Sequence, residues 1–148
     1  MISQTIDQEI KQAMLAKDQA KLRGLRAIKA AFLLAKTEKG HAEELTEDAE
    51  MKILQKLVKQ RKESATIYKE QGREDLFAVE QEEIDVISVF LPQQLERADI
   101  EKIIARIISE SGATSVKEMG KVMGIANKEL AGKADGKLIG EIVKVQLG

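Results

Sequence analysis

Cysteine is missing from this chain altogether, which removes disulfide frameworks and thiolate chemistry from consideration. Proline occurs once, at Pro92, and the only aromatics are Phe32, Tyr68, Phe77 and Phe90. A β-sandwich or barrel draws on aromatics for its strands and on Gly and Pro for its turns, so that class fits poorly. The single histidine, His41, has no second imidazole to join it, so a His/Cys metal set cannot be assembled. No run approaches the roughly 20 apolar residues that a membrane-crossing helix requires. Residues 1–7 lack the basic start and apolar stretch of a signal peptide, and the expected location is the cytoplasm. Net charge is also scarce: the formal value is −1, which does not mark a strongly basic nucleic-acid binder. Residues 1–94 carry 15 Lys+Arg against 17 Asp+Glu, and residues 95–148 carry 9 against 8, a difference too small to decide anything.

What is present is helical. Hydrophobic residues make up 43% of the chain and are mostly Ile, Leu, Val, Ala and Met, enough for a packed core within 148 residues. Their spacing predicts an all-α, multihelical protein: about four helices in residues 1–94 and three in residues 95–148. Ile2, Ile6, Ile10 and Met14 form an i, i+4 stripe. A break is expected across residues 16–19, with Asp18 capping a second helix that buries Leu22, Leu25, Ile28, Phe32 and Ala35 and stops at Lys39-Gly40. A polar loop containing His41 follows. Thr46 should cap a third helix that buries Met51, Leu54, either Leu57 or Val58, Ala65 and Tyr68, and ends at Gln71-Gly72. Its acidic first turn, Glu47, Asp48 and Glu50, suits the helix macrodipole. A fourth helix, residues 74–90, should bury Leu76, Val79, Ile84, Ile87 and Leu91 before Pro92 breaks the pattern.

The second part repeats this grammar. Ile100, Ile103, Ile104, Ile107 and Ile108 define a helix closed by Gly112. Ser115 and Glu118 have the spacing of a capping box, opening a helix that buries Met119, Val122, Met123, Ala126 and Leu130. Gly120 and Gly124 lie on one side of it, at about 1 kcal/mol each against Ala, which points to close packing or to a partner's backbone. The loop of residues 131–136, with Gly132 and Gly136, leads to a last helix through Leu138, Ile139, Ile142, Val143 and Leu147.

No arrangement of a catalytic centre emerges. His41 reads as a solvated loop residue, and the run Glu80, Glu82, Glu83 and Asp85 as a solvated helix face rather than a magnesium site. No serine sits in a nucleophile elbow, and residues 132–136 lack phosphate-loop spacing. Lys52, Lys56, Lys59 and Lys62 recur at helical spacing, as an ordinary solvated face does. Lys117, Lys121 and Lys128, with Lys133 and Lys137 flanking the glycine loop, form either a lysine-rich surface or a phosphate site beside a helix N-terminus.

The segments Phe90-Leu91-Pro92-Gln93-Gln94-Leu95, Gly112-Ala113, Lys117-Glu118-Met119-Gly120-Lys121-Val122-Met123 and Gly132-Lys133-Ala134-Asp135-Gly136-Lys137 occur in an order and spacing that resembles the YqeY family. Leu25-Arg26-Ala27-Ile28-Lys29 and Lys59-Gln60-Arg61-Lys62 extend the likeness over essentially the whole chain. The tail is similar to the C-terminal domain of the GatB subunit of the glutamine-dependent tRNA amidotransferase. That resemblance implies a tRNA-recognising module from about Glu96 onward, and an association with amidotransferase or aminoacylation machinery. It also brings the family's label of carbon–nitrogen ligation with glutamine as amide donor, which no residue here supports independently. The expected role is a non-catalytic tRNA-binding accessory protein without a cofactor, with Lys117, Lys121, Lys128, Lys133 and Lys137 as phosphate contacts. The alternative is a protein-interaction adaptor docking a partner helix on Gly120 and Gly124, with Gly132 and Gly136 also allowing backbone approach. Glu96 and Arg97 depart from the Ser or Thr with which relatives start this helix, so either Asp99 takes over the cap or the helix frays.

Overall fold

In the computed structural model, residues 1–38 and 45–148 are described. They form seven α-helices and no strand: α1 Ile2–Leu15, α2 Gln19–Glu38, α3 Glu47–Glu70, α4 Glu74–Ser88, α5 Arg97–Ser111, α6 Met119–Glu129 and α7 Gly136–Leu147, with a 3₁₀ turn Val116–Glu118 before α6. The chain divides into two compact units, Met1–Pro92 and Gln93–Gly148. The expected end of the second helix at Lys39-Gly40 and the loop containing His41 lie outside the described residues.

In the first unit, α3 and α4 pair most extensively, α2 lies against α4, and α1 lies against α2. Leu25, Ile28, Leu54 and Ile87 are completely buried at its centre. The break between α1 and α2 falls at Lys17, whose backbone is left-handed at φ 56°. The Lys17 amide donates to the Met14 carbonyl and the Asp18 amide to the Ala13 carbonyl, a paired C-terminal closure in which glycine is the usual occupant. Asp18 then opens α2, its carboxylate accepting from the Lys21 amide at 3.1 Å. Thr46 caps α3 through its hydroxyl, which accepts from the Ala49 amide at 3.1 Å.

The α1 stripe needs correction at its far end. Ile6 is buried, but Met14 is 55% exposed and Ala13 takes its place at 2%. An i, i+4 series advances 400° per step and so drifts 40° round the helix each time, whereas i, i+7 returns to within 20°. Ala13, seven residues after Ile6, therefore stays on the buried face. On α4, Val79 lies five residues before buried Ile84, about 140° round the helix, and is turned outward at 38% exposed. That helix also ends two residues early, at Ser88, and Phe90 and Leu91 close it with amides donated to the Ile87 and Ser88 carbonyls.

Two first-unit features were not legible as such. Glu50 is 1% exposed, and its carboxylate accepts from the Ile2 and Ser3 amides at 3.0 Å each. It caps the N-terminus of α1, 48 residues away, rather than serving only its own helix. Gly24 is buried, and a Cβ there would stand 2.6 Å from Val86 Cγ1, so glycine sets how closely α2 approaches α4.

In the second unit α5, α6 and α7 all touch one another around fully buried Ile100, Ile104, Val122, Ala126 and Val143. Gly112 ends α5 in the left-handed conformation, φ 73°. At the other end Glu96 is the N-cap residue without a side-chain cap bond, and Asp99 lies inside the first turn rather than capping it. Arg97 instead pairs with Glu101 at 2.9 Å. The capping box forms only in part: the Ser115 side chain makes no cap bond, and the Glu118 carboxylate reaches the Thr114 amide at 2.5 Å, one residue beyond the expected target. The intervening 3₁₀ turn, tighter than α, displaces the register.

Candidate nucleic-acid interface

The glycine loop is held by the segment that leads into α5. Gln94 Nε2 donates to the Gly132 carbonyl at 2.6 Å, and the Leu95 amide to the Lys133 carbonyl at 3.0 Å. Gly132 is buried with φ 74°, a turn that only glycine makes without strain. Ala134 joins the core at 8% exposed. Two of the motifs that made the sequence recognisable are thus one structural joint, and Gly132 serves that turn. Lys133 projects from it and is exposed.

Asp135 caps α7, its carboxylate accepting from the Lys137 amide at 3.2 Å. A carboxylate thus occupies the helix end that the sequence suggested for phosphate, and repels a second anion there.

Lys117, Lys121, Lys128, Lys133 and Lys137 are all exposed. On α6, positions 121, 124 and 128 lie on the arc opposite buried Val122, Ala126 and Leu130. Lys121 leans toward α5, where its ammonium donates to the Ser111 carbonyl at 3.1 Å and helps cap that helix. On the same flank Arg106 is bonded to Glu129 and, at 3.3 Å, to Glu110.

The other flank of α6 faces α7. A Cβ on Gly140 would lie 3.8 Å from Met123 Cε, and one on Gly148 3.9 Å from Val116 Cγ2, so the two helices run antiparallel with Gly140 beside Met123. In that register Lys137 lies across from the end of α6 and Lys144 across from its start. Lys137 and Lys144, seven residues apart, share one side of α7 about 10 Å apart along the axis. Lys144 is exposed and escaped the sequence reading because it stands alone among apolar residues; only its seven-residue spacing from Lys137 signals it.

Between the two lysine rows lie Gly120 and Gly124. Both are exposed, and a Cβ on either would meet nothing within 4 Å. Packing inside the chain therefore does not explain them. They leave a stretch of bare backbone on a face bordered by Lys128, Lys137 and Lys144, with Lys117 at the start of α6. Gly136 is likewise exposed with open space at its Cβ. Among the described residues no group of three or more His, Cys, Asp or Glu could hold a metal ion.

The described residues define an all-helical protein of two units, the second carrying a lysine-bordered face with Gly120 and Gly124 exposed. Comparison with family models places it more closely: residues 3–147 match the model of the Yqey-like proteins, and the chain belongs to that family. No curated protein matches the chain.

Proposed function

We propose that this chain is a non-catalytic tRNA-binding accessory protein that grips the RNA backbone with the exposed α6–α7 face. The observation that carries the reading is the pairing of lysines on two helices with a floor that has no side chains, Gly120 and Gly124. A strand of phosphates can approach such a floor closely while ammonium groups from both sides reach its oxygens. With few aromatics available, recognition is of RNA shape and backbone rather than of stacked bases on this unit. The resemblance of the tail to the tRNA-holding domain of the amidotransferase supports tRNA as the RNA. Amide transfer, on this reading, belongs to a partner enzyme of the amidotransferase or aminoacylation machinery, in the cytoplasm.

The test is binding of purified protein to total tRNA across a salt series. Four phosphate contacts give a slope of about −3 to −4 in log K against log salt. Lys137→Glu/Lys144→Glu should cut that slope roughly in half, with Lys133→Glu/Lys137→Glu acting in the same direction. A salt-insensitive complex removes the proposal.

The open Cβ positions at Gly120 and Gly124 favour one second reading, an adaptor on which a partner helix docks. Gly124→Leu then abolishes partner capture while lysine substitutions leave it intact. The reverse pattern rejects it.

A further inference from the structure

The first unit holds an open groove of about 560 Å³ between α3 and α4. Its floor is Ala65 and Ile84, 4% and 5% exposed, and its α4 wall carries Phe77. Lys62 and Lys69, seven residues apart on α3, line the opposite wall. The Lys69 ammonium stands over the Phe77 ring, 6.0 Å from its centroid and at the outer limit of a cation–π contact, so a flat group that stacks on that face displaces it. Among the described residues neither lysine is in an ion pair.

The polar groups of this groove divide by hydrogen-bonding character. The Thr66 hydroxyl donates its proton to the Lys62 carbonyl at 2.9 Å and faces a ligand as an acceptor. Gln81 gives one amide hydrogen to Asp85 at 3.1 Å and keeps its second hydrogen and its oxygen, so it can donate or accept. Glu70 is an acceptor as a carboxylate. The strongest donors in the lining are the two ammonium groups. A ligand that satisfies this lining has a flat apolar face, donors on one edge, and an anion beside the lysines.

We propose that the α3–α4 groove is a nucleotide subsite selective for a base with an exocyclic amino group. The base stacks on Phe77 and gives its amino protons to Glu70 and the neighbouring acceptors, and Lys62 and Lys69 hold the phosphate. Cytosine and adenine present such a donor, whereas uracil presents a carbonyl oxygen at the corresponding place and would set it against the Glu70 carboxylate. The site is separate from the α6–α7 face and does not depend on that face binding RNA.

The experiment is an NMR titration of the full chain with cytidine monophosphate, uridine monophosphate and inorganic phosphate in turn. Saturable shifts are expected at Thr66, Lys69 and Phe77 with the cytidine nucleotide, at an affinity roughly fivefold or more above the uridine nucleotide. Phosphate alone should move only the lysine side chains. Phe77→Leu, checked for a native spectrum, should weaken cytidine nucleotide binding about tenfold through lost stacking and leave the phosphate response in place. The proposal is overturned by an absence of groove shifts at millimolar cytidine nucleotide, by equal affinity for both nucleotides, or by shifts confined to residues 117–144. A salt-insensitive tRNA complex, by contrast, bears only on the α6–α7 reading.

Discussion

Glu50 shows how much one side chain can carry. Its carboxylate is the acceptor for two amides at the start of α1, in a place closed to water. Glu50→Ala strands both donors and should cost about 1–3 kcal/mol in chemical denaturation, the range for burying unsatisfied polar groups. Gly24 acts in the opposite sense, by what it lacks. Gly24→Ala drives a methyl into Val86 at 2.6 Å and should destabilise by about 1–3 kcal/mol, with Val86→Ala recovering part of the loss in the double variant. Lys17 holds a left-handed backbone without being glycine, so Lys17→Gly is expected to raise stability by up to about 1 kcal/mol, read as a higher denaturation midpoint. Glu80 is held above the ordinary glutamate range by partial burial and then by Glu83, with Arg61 opposing. A raised carboxylate ionises less readily in the folded state than in the unfolded one. Its charge therefore weakens the fold at neutral pH, and the penalty fades as pH falls through the raised value. Glu80→Gln should accordingly raise the melting temperature at pH 7 and lose that advantage in acid; an unchanged difference across pH rejects the assignment.

At the level of whole elements, the caps and breakers were the most legible part of the chain. Asp18, Thr46, Gly72 and Gly112 all sit at helix ends for the local reasons their side chains or positive φ values give. Local signals of this kind act within a turn and survive in the sequence. Misreadings arose where register had to be carried along a helix, as with Met14 and Val79, or across space, as with Glu50 and Val86; the Ser115 capping box is the local signal that failed, displaced by the 3₁₀ turn. A spacing rule has no means of knowing which helix will face which. The candidate interface divides in the same way. The α6 lysines and the open glycines were readable from one helix, but Lys144 becomes relevant only once α7 is laid antiparallel beside α6. Arg61 and Glu83, bonded at 2.9 Å with side chains 18% and 16% exposed, tie α3 to α4 on the same principle. Arg61→Met should loosen that pair and raise amide exchange along α4.

For the molecule as a whole, the division into Met1–Pro92 and Gln93–Gly148 gives each unit its own core. Ile104 is completely buried in the second, and Ile104→Ala should cost about 2–5 kcal/mol there, read from amide exchange in α5 to α7. Membership of the Yqey-like family covers residues 3–147 and so embraces both units together. The carboxylate cap on α1 also has a kinetic side. The first turn of α1 is completed by a group 48 positions along the chain, and α3 must arrive before that turn can close. Loop closure over such a span is slow to be rewarded, so α1 should gain protection late in refolding. Glu50→Ala would then accelerate unfolding and leave the refolding limb of the chevron nearly unchanged.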